Sequence, residues 1–398
     1  MPTAPPRPNR PVYLDNQATT RCDPRVVEAM LPWFTEHYGN PHSVEHVMGS
    51  EAEGAVEDAR SQVAALIGAD SKELVFTSGA TEGNNIAIKG AARFAGPGKR
   101  RRIITVATEH KCVLESVAEL AAEGFEPVFL PVRPDGLLDP DTLRDALDTP
   151  TLLVSVMAVN NEIGVIQDIA ALAAIAKQAG ALFHTDIAQA VGKIPVDLTA
   201  WKVDLASISG HKIYGPKGVG ALYVRRRPRV RLTSLFSGGG QERGIRSGTL
   251  PAPLIVGLGE ACRLAAAEMA GETSRLASLR QRLLERLAAE IPGLTVNGSM
   301  DTRIAGNLNL TFPAATAAEL MERIPDLCVS TGSACSSAAI EPSYVLRALG
   351  LSDEAAARTL RIGLGRFTSA ADIDYAATAL AAAHAGAPAP SVEHLAKA

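Results

Sequence analysis

Apolar positions in this chain fall alternately into short runs and into stretches with helical spacing. Residues 73–76 form a short apolar run that ends in Thr77-Ser78-Gly79-Ala80-Thr81-Glu82, where a helix-compatible stretch begins. Residues 102–107 read as a second strand behind the basic run 99–102. Residues 151–159 are almost continuously apolar and have the length of a strand buried on both faces. Residues 169–179 carry apolar side chains at helical spacing, and the pattern stops at Gly180. Residues 181–185, 203–207 and 219–224 follow as further strands. Strands that alternate with helices predict an α/β fold: a mainly parallel sheet flanked by helices, with ligands at the carboxyl ends of the strands.

Beyond about Pro251 the texture changes. Residues 254–270 and 274–290 read as two long helices rich in Ala, Leu, Glu and Arg, and residues 307–312 alternate as a strand. This predicts a large domain over 13–255 and a smaller α+β C-terminal domain over 256–398, to which residues 1–12 are added. From Ala381 the chain is rich in Ala and Pro, which predicts fraying after a last helix.

Composition narrows the function classes. At about 150 residues per domain, 398 residues suggest two or three domains. With 46% hydrophobic and 21% charged residues the chain is an ordinary globular one, which excludes disorder. Its 39 Lys and Arg against 43 Asp and Glu leave a net charge of −4, so nothing demands a nucleic-acid partner. Five cysteines argue against a disulfide scaffold and for a reducing, cytoplasmic setting. The Pro-rich N-terminus lacks the apolar segment of a secretory signal, and no apolar run is long enough to span a membrane. The segment 225–231 carries five arginines in seven residues. It reads either as a solvated turn or as a docking patch for an acidic partner or RNA.

Four pieces carry candidate chemistry. In Ser207-Ile208-Ser209-Gly210-His211-Lys212, a lysine just past a strand, with small neighbours, suits a Schiff base to an aldehyde cofactor. Asp186 ends a central strand; it suits either a protonated ring nitrogen or a helix N-cap. Ser78-Gly79-Ala80-Thr81, between strand and helix, suits a phosphate. His110 suits ring stacking, proton transfer or a structural role. To these is added Cys335, in the Ser/Gly/Ala-rich stretch Ser330-Thr331-Gly332-Ser333-Ala334-Cys335-Ser336-Ser337, where a thiolate could act as nucleophile. Cys22, Cys112, Cys262 and Cys328 sit in no such motif and read as packing residues.

Taken in order, Tyr13-Leu14-Asp15-Asn16-Gln17-Ala18-Thr19-Thr20, Gly39-Asn40-Pro41-His42-Ser43, the phosphate turn, Glu109-His110-Lys111, Asn160-Asn161-Glu162-Ile163-Gly164, Ser209-Gly210-His211-Lys212 and Gly238–Thr249 resemble the cysteine desulfurases. These are pyridoxal 5'-phosphate enzymes of the class V aminotransferase type, with the fold type I architecture. The resemblance implies that Lys212 binds the cofactor and serves as acid and base at the substrate α-carbon. It implies that Asp186 pairs with the ring nitrogen, Gln189 bonds the ring hydroxyl and His110 stacks on the ring. Ala80, Thr81, Ser209 and His211 would hold the phosphate, together with Thr249 from the second subunit of a homodimer. Arg361, with Asn161 assisting, matches the clamp on the substrate carboxylate. Cys335 matches the residue that takes sulfur from L-cysteine as a persulfide, leaving L-alanine.

The serine-rich setting of Cys335 is similar to the long-loop group. Implied acceptors are an iron–sulfur scaffold or another sulfur-acceptor protein, and whether Cys335 ever ligates a cluster stays open; no metal site is read. The chain after Tyr375 lacks the longer extension by which some members bind a scaffold, which leaves the docking mode open. Rival readings are a selenocysteine lyase, another lyase or an aminotransferase on the same fold, and a binding protein that kept the fold. A dinucleotide-binding dehydrogenase is disfavoured, since no G-x-G-x-x-G follows the first strand.

Overall fold

The computed structural model describes residues 11–331 and 342–387. Within them the strands run β1 (Val12–Tyr13), β2 (Leu74–Thr77), β3 (Arg102–Val106), β4 (Glu126–Leu130), β5 (Thr151–Ser155), β6 (Leu182–Asp186), β7 (Leu205–Ser209), β8 (Gly220–Val224), β9 (Thr295–Val296), β10 (Asn307–Thr311), β11 (Leu327–Cys328) and β12 (Thr359–Gly363). Seven of them form one sheet in the order β2-β8-β7-β6-β5-β3-β4, in which only β8 runs against the rest. The strands β2, β7 and β8 are buried along their whole length. Helices cover both faces, which is why these strands read as apolar runs rather than as alternating ones.

The apolar run 151–159 is strand only to Ser155. Val156 and Ala158 still donate backbone hydrogen bonds to His184 and Asp186 at 3.1 and 2.9 Å, but the chain then bends away into a tight loop. The Asn160 side chain closes that loop by accepting from the amides of Glu162 and Ile163 at 2.8 and 3.0 Å. A polar side chain thus supplies the hydrogen bonds that the ladder no longer offers.

The two predicted helices after Pro251 are one helix of 39 residues, Ala252–Glu290. Gly271, between the two predicted segments, has open space around it, and one helical glycine costs only about 1 kcal/mol among strong helix formers. Its first half contributes Ile255, Leu258, Ala261 and Leu264 to the core under the large sheet. Its second half contributes Leu276, Leu283 and Leu287 to a separate core. A division at residue 255 therefore falls inside the helix, and the changeover between cores lies between Leu264 and Leu276.

That second core lines an antiparallel sheet in the order β12-β10-β9, with Leu308, Leu310, Leu360 and Ile362 pointing inward. The N-terminal strand joins it: β1 pairs in parallel with β11, and Val12 and Leu14 are buried there. Among the described residues no helix is long and apolar enough to cross a membrane. The arginine run is a tight turn: Arg226 and Arg229 bridge across its exposed tip, Arg225 reaches Asp204 at 3.4 Å, and Arg231 lies over the Phe94 ring.

A buried ion pair ties the segment that leads to Thr249 onto the large sheet. Arg60 donates to both carboxylate oxygens of Glu242 at 2.8 Å, and Glu242 also accepts from the Phe76 amide at 2.7 Å. Both side chains are more than nine-tenths buried. Removing the Glu242 charge leaves the buried Arg60 with only the exposed Glu57 carboxylate, 2.9 Å from its Nε, at a cost of about 3 kcal/mol. We expect Glu242→Gln to lower the unfolding free energy in denaturant titration by roughly 3 kcal/mol; an unchanged midpoint would show that water already reaches the pair.

Candidate active site

The parallel strands end along one edge of the large sheet, and the candidate residues collect there. The chain leaves β2 through Ser78-Gly79 into the helix Ala80–Ala95. It leaves β3 through Thr108-Glu109-His110, β5 through Met157–Glu162, β6 at Asp186 and β7 through the single turn Gly210–Lys212. A cavity of about 440 Å³ opens at this edge. Ala80, Thr81, His110, Asn161, Asp186, Gln189, Ser209, His211, Lys212 and Arg361 all line it. Thr249 is exposed and does not line it. Cys335 lies outside the described residues.

Gly79 makes the turn at one end of the cavity. Its φ of +149° favours glycine, and a Cβ there would lie 3.5 Å from the Ser209 hydroxyl. Gly220, on β8, lets Gly79 approach: a Cβ on it would lie 2.7 Å from the Gly79 Cα. The helix that follows has no side-chain cap on its first amides, and Gly79, Ala80 and Thr81 line the cavity. Uncapped amides at a helix start, beside Ser209 and His211, suit a phosphate. Burial, with Lys212 nearby, pushes His211 down to about 4, so it stays neutral near pH 7; its Nδ1 lies 3.0 Å from the Thr19 hydroxyl.

Asp186 takes two hydrogen bonds, from Asn84 Nδ2 at 2.7 Å and from the Ala188 amide at 2.9 Å. Gln189 donates to the Gln17 carbonyl at 2.8 Å, and the Lys193 ammonium donates to Gln189 Oε1 at 2.5 Å. The first contact orients the amide, because a carbonyl only accepts, and so turns the Gln189 oxygen toward Lys193. Burial, with Lys212 nearby, pushes Lys193 down to about 7. The Lys212 Nζ meets the carbonyls of Gln17 and Ala18, each at 2.6 Å. The N-terminal segment therefore roofs the lysine, and Thr20 fastens it there by donating to the His211 carbonyl from both its amide and its hydroxyl.

Arg361 comes from the small sheet. Its guanidinium donates to Asp15 Oδ1 at 2.8 Å and to the Asn161 carbonyl at 3.0 Å, while its Nε and the Asn161 Oδ1 are buried without protein partners. A guanidinium so held, with a donor to spare, suits a carboxylate. On β12 its backbone pairs with Ser330, the point from which the chain runs on toward Cys335.

The structure adds residues that sequence patterns did not single out. Glu109 is fully buried; burial and the nearby Asp186 carboxylate hold it well above the ordinary carboxylate range. Tyr344 donates to its carbonyl at 2.6 Å. Cys112, read as a packing residue, lines the cavity with its Sγ 3.0 Å from His110 Nδ1. Cys262 does pack, in the large core. Among the described residues no three His, Cys, Asp or Glu side chains gather as a metal site.

Comparison with known proteins fits this geometry. Residues 12–376 match the aminotransferase class-V family model. The chain is 55% identical over 369 residues to the cysteine desulfurase IscS of Rickettsia felis, an alignment covering 93% of this chain and 90% of the relative. It superposes on a NifS-like protein with a TM-score of 0.87 at 36% identity, covering 93% of this chain and 98% of the other. A structure of SspA in complex with cysteine matches with a TM-score of 0.78 at 37% identity, covering 90% and 99%.

One titration follows from the row of polar side chains behind the site. His184, buried on β6, lies 2.8 Å from the Ser155 hydroxyl and 3.3 Å from that of Ser207, and burial pushes its imidazole down to about 3. The unfolded chain takes up this proton below about pH 6.5, but the native one does so only near the depressed value. The unfolded state therefore binds more protons across that window, and stability falls as pH drops by up to ~1.4 kcal/mol per unit. We expect His184→Gln to flatten the decline of unfolding free energy between about pH 6 and 4; an unaltered slope would mean that the native imidazole titrates normally.

Proposed function

The chain belongs to the class-V aminotransferase family, and within it is a cysteine desulfurase that uses pyridoxal 5'-phosphate; we propose the following division of labour among its residues. Ala80, Thr81, Ser209 and His211 hold the phosphate, with Thr249 supplied by a second copy of the chain in a homodimer. Gln189 would bond the ring hydroxyl, His110 would lie against the ring face, and Asp186 would keep the ring nitrogen protonated. Lys212 would hold the cofactor through its amine and would move the proton at the substrate α-carbon. Arg361 and Asn161 take the substrate carboxylate. The bound cofactor supplies an aldehyde for the substrate amine and a ring that draws electrons from the α-carbon.

The Cys335 thiolate attacks the sulfur of the bound cysteine. The carbon–sulfur bond breaks and its electron pair stays on the carbon side. Protonation of that carbon, with Lys212 returning the α-proton, leaves alanine. Cys335 keeps the sulfur as a persulfide and passes it to an acceptor protein, of which an iron–sulfur scaffold is one class. The observation that supports this reading is the convergence of Lys212, Asp186, His110 and Arg361 on one cavity from four separate stretches of chain. The pairing of Ser330 with Arg361 further suits it, since it starts the cysteine-bearing stretch beside the carboxylate clamp.

We expect Cys335→Ala to keep the cofactor's visible absorbance and to lose alanine formation from cysteine under reductant. Alanine release at the parent rate would remove Cys335 from the reaction. Lys212→Ala should give no borohydride-reduced cofactor adduct; an adduct mapped by mass spectrometry to another lysine would reassign that role. Arg361→Lys keeps the charge but loses the fork, and should raise the KM for cysteine about tenfold, or ~1.4 kcal/mol. An unaltered KM would place the carboxylate elsewhere.

A further inference from the structure

Cys112 has no part in the reaction just described, yet it touches two residues bonded into it. Its Sγ lies 3.0 Å from His110 Nδ1 and 3.2 Å from Asn84 Nδ2. Asn84 is fully buried on the helix Ala80–Ala95, and the same Nδ2 donates to Asp186 Oδ2 at 2.7 Å. A carboxylate accepts, so the atom facing it is the amide nitrogen. Both amide hydrogens are then used, one on the carboxylate and one on the sulfur. The Asn84 Oδ1 is left buried with no partner. A flipped amide would turn that oxygen onto the carboxylate, so the orphaned acceptor is the cost of holding Asp186.

The polarity at the other end follows in the same way. His110 Nδ1 accepts from the Cys112 backbone amide at 3.2 Å. A ring nitrogen that accepts carries no hydrogen, so in its contact with the sulfur the S–H donates. Hydrogen bonds thus run from Asn84 to the sulfur and from the sulfur to His110, which leaves the imidazole hydrogen on Nε2.

We propose that Asn84 and Cys112 are positioning residues that couple the tautomer and orientation of His110 to the Asp186 carboxylate. The proposal rests on the reading in which His110 and Asp186 hold the cofactor ring from its face and its edge. The bridge sets those two contacts relative to each other before the ring arrives.

The test uses the cofactor-free protein, 15N-labelled at histidine. Asn84 hydrogen-bonds Asp186 and Cys112, yet Asn84→Ala should move the His110 Nδ1 resonance. Cys112→Ala should move it in the same direction, and the double variant no further than Cys112→Ala alone. Cys112→Ser, which restores a donor, should return the resonance toward the parent position. A His110 signal unmoved by Asn84→Ala, or single effects that simply add, would overturn the coupling. Should Asn84→Ala not fold, the two Cys112 variants decide it: no movement in Cys112→Ala, or no return in Cys112→Ser, refutes the bridge. A desulfurase assay on the loaded parent enzyme reports on the functional reading separately, since the resonance measurement requires no turnover.

Discussion

The site hangs from the parallel register of β5, β6 and β7. Ser155 stands opposite His184, and Asp186 opposite Ser207, so the row behind the cavity is set by backbone pairing. A slip of one residue would turn Asp186 to the other face of the sheet and leave a buried carboxylate without Asn84. The same pairing ends β7 at Ser209, so that one short turn carries Lys212 to the strand ends beside Asp186. Burial on both faces enforces this register, because every neighbouring position in β7 and β8 is filled against helices.

A second constraint closes the cavity from the opposite side. The large sheet supplies Asp186, Lys212, His110 and the Ser78-Gly79-Ala80-Thr81 turn, while the small sheet supplies Arg361. One continuous helix spans both cores. The N-terminal strand crosses between them as well: Asp15 meets Arg361, and the carbonyls of Gln17 and Ala18 meet Lys212. Arg361 and Lys212 thus contact one short stretch of chain, fastened to the His211 carbonyl by Thr20. Close coupling of this kind holds reacting groups in register with each other.

The electrostatics suit the assigned chemistry. His184 and His211 are kept neutral by burial, which preserves their lone pairs for hydrogen bonds. Glu109, held above the ordinary carboxylate range, adds no second full negative charge beside Asp186. Lys193, pushed down to about 7, donates to Gln189 next to a second lysine at less electrostatic cost than a full ammonium would carry. None of these shifts was legible from spacing, because burial depends on what the rest of the chain packs around each group.

What the sequence determined by itself is the local pattern: the apolar runs of the central strands, the small-residue turn between β2 and its helix, the lysine beyond β7, and the order of motifs that marks the family. Each of these is a short-range pattern, readable because secondary structure and turn chemistry are set within a few residues. Tertiary structure decided the rest. It fused two predicted helices into one, since packing on two cores outweighs a single glycine. It roofed Lys212 with carbonyls from residues 17 and 18, almost two hundred positions away. It also moved Cys112 from a supposed packing residue to the cavity wall between Asn84 and His110. Partners separated by tens to hundreds of residues meet only when the sheet closes, and no periodicity along the chain records which side chains will then touch.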